Sequence, residues 1–563
     1  MPSLPFARAA SASTAPCLVI AGKVIAGKVI AGKVIAGKVI AGKVIAGKVI
    51  AGLVIAGLAG GPLPAAAQPT PAGPMGDGSY TLPSLVTDTR LMPIPAPGAY
   101  PVQGDTVIDP VSGMHLSRFA DKSELTGDYG GYHSALSAIV YSRYSPTNTT
   151  GEFVLVHGDN STSAWVYRTA KHRPTTILRF KPSLGAASRA LGELNELRWD
   201  YSGKFPYRLY FVGRSLPASQ SVQGERPGMS FYRVDIDPAT GQQGTPVLIR
   251  DFSADFPGFT GGEIMNDVEG DSSHDSRRWA WMVMDTQRGN GYLPWAIFSY
   301  DKAQDTITGR LQRSCKGSPA PCRALDTPAT PAPYLTRPNM VEMSPTGNRV
   351  VVHFERAYAG HNEADIGTVA DGPKAFRRDF SKPVRIGADA THSGWAWSLD
   401  GNELFISQNN RNDWIEAVDI RSDASAKCQK ISDNSYGCGT KVIPYSRLDG
   451  GSWTLGMHFG RLYDRNKRGW LVMNTYDSKG YTTWGKNQNL LVQINDGTQK
   501  PSVVARLGST ANQYFDYRSE GSGALDFQGN SIWTTGNWGF TDGRGDVFRI
   551  RLPDNWFELL PQP

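Results

Sequence analysis

Acidic residues are absent from the first 67 positions, which carry six lysines and one arginine. The formal net charge of +7 over 563 residues belongs to that leader, because 58 − 7 leaves 51 basic against 51 acidic residues beyond it. A neutral body lacks the clustered Lys/Arg stripe that binding a phosphate backbone requires, which argues against nucleic acid as a partner. Cysteine is scarce, five in all, and none stands in C-x-x-C spacing or close to a histidine, so there is no compact zinc motif. A Gly-x-Ser-x-Gly elbow is also missing, which argues against a serine peptidase. Long helical stretches are few, and 62 glycines with 38 prolines punctuate the chain as tight turns do. The 40% of hydrophobic residues is still enough to bury a core, which excludes a wholly disordered chain, a coiled coil or a polytopic membrane protein.

The leader repeats Val-Ile-Ala-Gly-Lys over residues 18–52 and ends in an uncharged run from Val49 to Gly61, followed by Pro62-Leu63-Pro64-Ala65-Ala66-Ala67. The run and its small-residue end have the form of a secretory h-region and cleavage site, so residues 1–67 read as an expanded signal peptide cut after Ala67. The alternative is a retained membrane anchor. A lysine every fifth residue advances about 140° per repeat on a helix and spreads charge around it, which is costly in lipid and disfavours stable insertion. Residues 68–104 are Pro/Gly-rich and read as a tether. Beyond Cys17, the remaining cysteines fall into local pairs, Cys315 with Cys322 and Cys428 with Cys438, as disulfides in an oxidising compartment would. The expected location is secreted or periplasmic, and the expected state is a monomer.

One pattern recurs seven times over residues 105–563: a short apolar or aromatic segment, a polar turn rich in Gly, Asn or Asp, then an apolar strand. Its copies run from Tyr144-Ser145-Pro146 to Phe153–Val156, Leu197–Asp200 to Leu209–Val212, Ser273-His274-Asp275 to Trp279–Met282, and Met343–Gly347 to Val350–Val352. The others run from Trp397–Gly401 to Leu404–Ile406, Leu462–Arg465 to Trp470–Met473, and Leu525–Gly529 to Ile532-Trp533. Third strands follow most copies, such as Phe231–Val234 and Leu490–Gln493. Four antiparallel strands per unit predict an all-β fold, a seven-bladed β-propeller of four-stranded antiparallel blades. The ring is expected to close by pairing Thr106–Ser117 with the C-terminal strand, leaving no exposed edge.

In this register the segment before each turn is the inner strand. Loops entering inner strands and loops leaving second strands then share one face. Entering loops carry His133, His392, His458 and Tyr517; leaving loops carry His157, Arg214, Asn409, Arg411, Tyr476 and Trp538. A histidine at a blade end is ordinarily a hydrogen-bonded terminator, and Asn after a strand a turn former. Their concentration at one mouth is what singles this face out. Arg198 is as suited to packing on Trp199 as to holding an anion, whereas Arg214, ending an apolar strand, is well placed for bidentate pairing with a carboxylate.

Four features carry a resemblance: His133 with His157; Arg198-Trp199 to Arg214; His392-Ser393-Gly394-Trp395 with Ser398-Leu399-Asp400-Gly401; and Gly469-Trp470 to Tyr476 followed by Gly536-Asn537-Trp538-Gly539. In these the chain resembles the secreted β-propeller polysaccharide lyases of the oligogalacturonate and ulvan lyase type. Its Ser344-Pro345-Thr346-Gly347 turn resembles those of TolB-type propellers. The resemblance implies β-elimination on a uronate-containing acidic polysaccharide, which needs a neutraliser for the carboxylate, a base for the C5 proton and an acid for the leaving oxygen. It implies Arg214, with Arg198, as neutraliser, His133 or His157 as base, and the other histidine or a tyrosine, Tyr207 among Tyr201, Tyr207 and Tyr210, as acid. Arg198 stands where a tyrosine would be expected, a departure from the pattern. His392, His458, Asn409, Arg411, Tyr476, Tyr517, Trp538 and Arg198 are the expected substrate contacts. Some such lyases use a metal; His353, His392 and His458 are the candidates here, without a compact motif, and the cofactor stays open. The competing readings are a non-catalytic propeller binding glycan or protein partners, and a glycoside hydrolase using two of Glu196, Glu263, Asp267 and Glu520.

Overall fold

The computed structural model describes residues 71–72, 100–109, 112–121, 136–137, 141–158, 164–171, 174–178, 196–213, 228–256, 262–266, 269–285, 294–312, 314–324, 338–354, 372–387, 392–409, 412–421, 428–432, 435–449, 455–477, 485–494, 503–510, 522–540, 545–553 and 555–561. The leader, with its cut after Ala67, lies outside them.

Seven antiparallel sheets form the blades of a β-propeller. Blade 1 runs Leu136–Ser137, Phe153–Gly158, Ala164–Arg168, Pro174–Ile177, and blade 2 Arg198–Trp199, Arg208–Gly213, Ser230–Asp235, Val247–Asp251. Blade 3 is Gly262–Met265, Arg278–Asp285, Pro294–Asp301, Thr306–Gln312, and blade 4 Pro338–Met343, Arg349–Phe354, Gly372–Arg377, Val384–Arg385. Blade 5 is Ser393–Trp397, Glu403–Asn409, Trp414–Asp419, Thr440–Pro444, and blade 6 Leu455–Phe459, Trp470–Asp477, Asn489–Gln493, Val504–Gly508. Blade 7 takes Gly523–Leu525, Ser531–Gly536 and Asp546–Arg551 from the C-terminal part and His115–Ala120 from the N-terminal part. Thr106–Ile108 and Pro71–Ala72 extend that sheet outward.

The repeat was readable because each turn has a backbone requirement. In six blades the turn between the first two strands holds a glycine in the left-handed region: Gly151 (φ 71°), Gly203 (74°), Gly347 (71°), Gly401 (75°), Gly469 (74°) and Gly529 (74°). Blade 3 uses Ser276 at 49° instead. The apolar second and third strands are buried on both faces, because every blade is covered by a neighbour on each side. Seven apolar clusters result among the described residues, one at each blade-to-blade interface. Closure comes from His115–Ala120 pairing with Asp546–Arg551, reinforced by Arg118 donating to the fully buried Asp546 carboxylate at 2.8 Å.

Three inner strands lie upstream of the segments expected for them. In blade 1, Tyr144-Ser145-Pro146 is not a strand; Leu136–Ser137 takes that place, pairing with Gly158 and His157. Blades 3 and 6 likewise use Gly262–Met265 and Leu455–Phe459 in place of Ser273–Asp275 and Leu462–Asp464. The physical reason is that the bypassed residues are drawn into the propeller axis by buried charges. Arg143 reaches across from blade 1 to ion-pair with Glu342 of blade 4 and donates to Ser393 Oγ of blade 5 at 2.5 Å, with both charged side chains fully buried. Arg461 of blade 6 pairs with Asp271 of blade 3 at 2.5 Å, and Tyr463 donates to the same carboxylate at 2.9 Å.

Cys315–Cys322 staples a loop after the outer strand of blade 3, and Cys428–Cys438 ties the hairpin of Cys428–Ser432 and Ser435–Cys438 inserted in blade 5.

Removing one partner of the axial pair strands a buried charge, so Glu342→Ala should cost about 3–5 kcal/mol in urea unfolding. The apolar double replacement Arg143→Met with Glu342→Leu should lose clearly less. Equal losses for the two variants would show that the ion pair does not organise the axis.

Candidate functional site

The ends of the second strands and the starts of the inner strands do share one face, and four aromatic rings meet there. His392 precedes the inner strand of blade 5, His458 lies within that of blade 6, and Tyr476 faces Gly456 from the neighbouring strand. The rings stack in series, His392 on His458 with centroids 4.7 Å apart and His458 on Tyr476 at 4.9 Å. Tyr141, on the chain entering the axis, sets its edge against both imidazoles, at 6.5 and 5.2 Å. A side chain at 456 would run into the Tyr476 ring, so glycine there is what lets the phenol lie over the inner strand.

The His392 imidazole has a defined tautomer. Its Nδ1 lies against the Met457 carbonyl, which can only accept, so Nδ1 carries the proton and Nε2 of the neutral ring is the basic nitrogen. His392 is the most open of the four rings, at 9% exposure against 3% or less for the others.

A second group joins blades 1 and 2. His157 is buried, its Nε2 has no hydrogen-bond partner among the described residues, and burial with the charge of Arg198 pushes its pKa down to about 3. Arg198 is consumed by the protein. Its guanidinium lies 3.7 Å over the Tyr144 ring, donates to the carbonyls of Leu197 and Gly270, and sits 3.5 Å from Asp271. Burial opposes the charge on Arg198, and the Tyr144 and Asp271 neighbours outweigh it, so the pKa is raised. Arg198 therefore links blades 2 and 3.

The other described candidates are each engaged by partners of their own. The Tyr207 hydroxyl donates to Glu152 at 2.6 Å on the opposite face, where the blade turns lie. Tyr210 donates to Asp200 at 2.7 Å, and Tyr201 to the Ser145 carbonyl at 3.1 Å. Asn409 is 1% exposed and donates to Glu416 at 2.9 Å within blade 5. Trp538, also 1% exposed, stacks on Phe548 at 5.4 Å inside the core between blades 6 and 7, so its ring is covered by protein. His133, Arg214, Arg411 and Tyr517 lie outside the described residues.

His353 is removed from the mouth histidines by its bond to Glu342 at 3.1 Å in the axis. Among the described residues no three His, Cys, Asp or Glu side chains converge as a metal cage would need. His353, held in the axis by Glu342, does not join His392 and His458 in one. Tyr141, Arg143 and Asp271 escaped the sequence reading. Tyr141-Ser142-Arg143-Tyr144 sets two polar residues between two aromatic ones, with nothing local to distinguish it, and only the buried Arg143 pair marks it as an axial crossing.

No family model and no curated protein matches the sequence. Solved structures of both kinds that the motifs resemble do match the fold. An oligogalacturonate lyase in complex with manganese aligns over 85% of this chain and 99% of its own at 11% identity, with a TM-score of 0.43. The oligogalacturonate lyase of Vibrio parahaemolyticus aligns over 83% and 99% at 9% identity, also at 0.43. TolB from Acinetobacter baumannii aligns over 70% and 76% at 14% identity, at 0.28.

Protonation of the buried imidazoles should limit acid stability. The folded pKa values of His157 (about 3) and His353 (about 4, held down mainly by burial) lie below the unfolded value near 6.5. The unfolded chain therefore binds more protons below about pH 6.5, and stability falls from there down to about pH 3. His157→Phe should flatten this slope in pH-dependent urea titrations. An unchanged slope would mean that His157 titrates normally in the fold.

Proposed function

We propose that the protein is a secreted or periplasmic propeller that cleaves a uronate-containing acidic polysaccharide by β-elimination, with His392 as the base. The observation that carries this reading is the tautomer of His392, whose Nδ1–H is held by the Met457 carbonyl so that Nε2 can accept a proton at the mouth. A base must hold the proton it takes, and His157, with a pKa of about 3, is too weak for that at neutral pH. In the reaction the C5–H bond breaks to the base, its electrons form the C4–C5 double bond, and the C4–O bond leaves as the oxygen takes a proton. Tyr476 and His458, stacked in series on His392, are the candidate sources of that proton. The carboxylate neutraliser falls to Arg214 or Arg411. The expected signal-peptide leader, the two disulfides and the absence, among the described residues, of a helix long and apolar enough to cross a membrane support the location.

A second reading, binding without turnover, is favoured by Arg198. Arg198, beside His157, is buried and engaged by Leu197, Gly270, Tyr144 and Asp271, so it is not presented to a substrate carboxylate.

The test follows the ultraviolet absorbance of the unsaturated uronate product on pectate, ulvan, alginate and glycosaminoglycans. A rise that drops by about a hundredfold or more in His392→Ala supports a lyase with its base at the mouth. A rise retained in His392→Ala and lost in His157→Ala would move the base to blade 1. No rise on any polymer, with the fold intact, would leave the binding reading.

A further inference from the structure

The face opposite the mouth carries a second polar feature that the proposed reaction does not use. Here the turns of blades 3, 4 and 5 border an open groove of about 600 Å³, lined by Arg349, Arg377, Arg378, Arg421, Asp379 and Glu403 among others. Its acidic members are committed to their own surroundings. Asp379 accepts from the backbone N–H and hydroxyl of Ser381, and Glu403 accepts from the backbone N–H of Thr346. Arg421 is bound by Asp419 at 2.6 Å and keeps more than half of its side chain in solvent.

At the blade 3 end the charges do not balance. Asp301, fully buried, is approached by Arg277 at 2.8 Å, Arg278 at 3.8 Å and Arg378 at 4.0 Å. The first of these already fills both carboxylate oxygens, and the Ala303 N–H donates to one of them as well. Three guanidinium charges therefore crowd the one buried carboxylate, and Asp275 is the further acid that acts on Arg277 and Arg278, so cations still outnumber anions three to two. Arg278 Nε is buried beyond hydrogen-bonding distance of Asp301 and has no hydrogen-bond partner among the described residues. Burial lowers the pKa of Arg278, and the charges of Arg378 and Arg277 lower it further, against the opposing pull of Asp275 and Asp301.

Arginine forks recognise carboxylate and sulfate oxygens bidentately, and a groove of this volume exceeds a single small anion. We propose that the groove across blades 3 to 5 is a binding site for an anionic saccharide strand, held by Arg378 and Arg421 and distinct from the mouth. Charged groups on successive blades suit a polymer with repeating anions, each neutralised by a different turn. The site anchors the strand to the propeller and needs no turnover at the other face.

The experiment measures retardation of the full chain in native gels containing polygalacturonate, dextran sulfate or neutral dextran. Wild type should be retarded by the polyanions and not by neutral dextran, and the double variant Arg378→Gln with Arg421→Gln should lose about tenfold in apparent affinity and show a shallower salt dependence. Loss on only one polyanion would support the site and name its anion, carboxylate or sulfate. Both arginines are more than a third exposed, so thermal melts should be unchanged; Arg378→Glu provides a second variant expected to weaken binding further. Retardation unchanged in both variants, or abolished by His392→Ala instead, would overturn the proposal. Turnover on short oligosaccharides separates the two readings: its absence in wild type would sink the lyase while leaving groove binding intact.

Discussion

Four buried charges in the propeller axis constrain everything around them. Arg143 with Glu342 and Arg461 with Asp271 pair across the ring, joining blade 1 to blade 4 and blade 6 to blade 3. Taking such ions out of water costs several kcal/mol each, and their attraction repays it only when the remaining donors and acceptors are also satisfied. Here the carboxylates are well satisfied, while Nε of Arg143 and of Arg461 has no hydrogen-bond partner among the described residues. Glu342 also accepts from the Trp395 indole at 2.9 Å and sits 3.1 Å from His353, while Asp271 collects Tyr463 and Arg198. Burial would raise the Glu342 pKa, but Arg143 and His353 outweigh it and hold it at about 2. Glu342 therefore stays ionised down to about that pH, and the stability it contributes is lost progressively as pH falls from the ordinary carboxylate range toward it. Apolar contacts between blades are non-directional and would tolerate small slips. The axial pairs are directional and set the rotation of one blade against another.

That choice also shapes the site. A propeller with an open axis offers a channel, whereas this one threads Tyr141–Pro146 of blade 1 through it, with the Ser142 hydroxyl on the Phe459 carbonyl and the Ser145 N–H on the Tyr463 hydroxyl. Chemistry is thereby confined to the two faces. On one, the crossing segment delivers Tyr141 to His392 and His458, so the residue that completes the ring cluster belongs to the same strip that carries Arg143 to its ion pair. Positioning at the mouth and closure of the axis are one structural event.

The blade repeat was legible because it is local: a left-handed glycine, an apolar strand after it, and a third strand within a short span. Seven blades, the closure through the N-terminal strand and both disulfides followed from such signals. The inner strands of blades 1, 3 and 6 did not, since their positions are set by partners on other blades more than a hundred residues away, as Arg143 is by Glu342. The same limit applied to the site. His392 and His458 were readable as blade-end histidines, but their stacking depends on Tyr476 and Gly456 agreeing in space. Trp538 was expected as a substrate contact because it leaves the second strand of blade 7 on the mouth face, yet with a φ of 51° its indole stacks on Phe548.

Net charge misled in a parallel way. A body with equal numbers of basic and acidic residues reads as electrostatically bland, and most turns bear this out, as where Arg208 pairs with Asp235 at 2.7 Å or Arg250 with Asp255 at 2.9 Å. Balance over the chain does not require balance at each turn. Around Asp301 three arginines from blades 3 and 4 crowd one buried carboxylate, with Asp275 the further acid beside two of them, because successive blades each place the ends of their strands on the same rim and the ring brings those ends together. A field of this kind is invisible to composition, since it arises from the angle between blades, and it persists only because the apolar cores between blades 3, 4 and 5 hold the like charges in place against their repulsion.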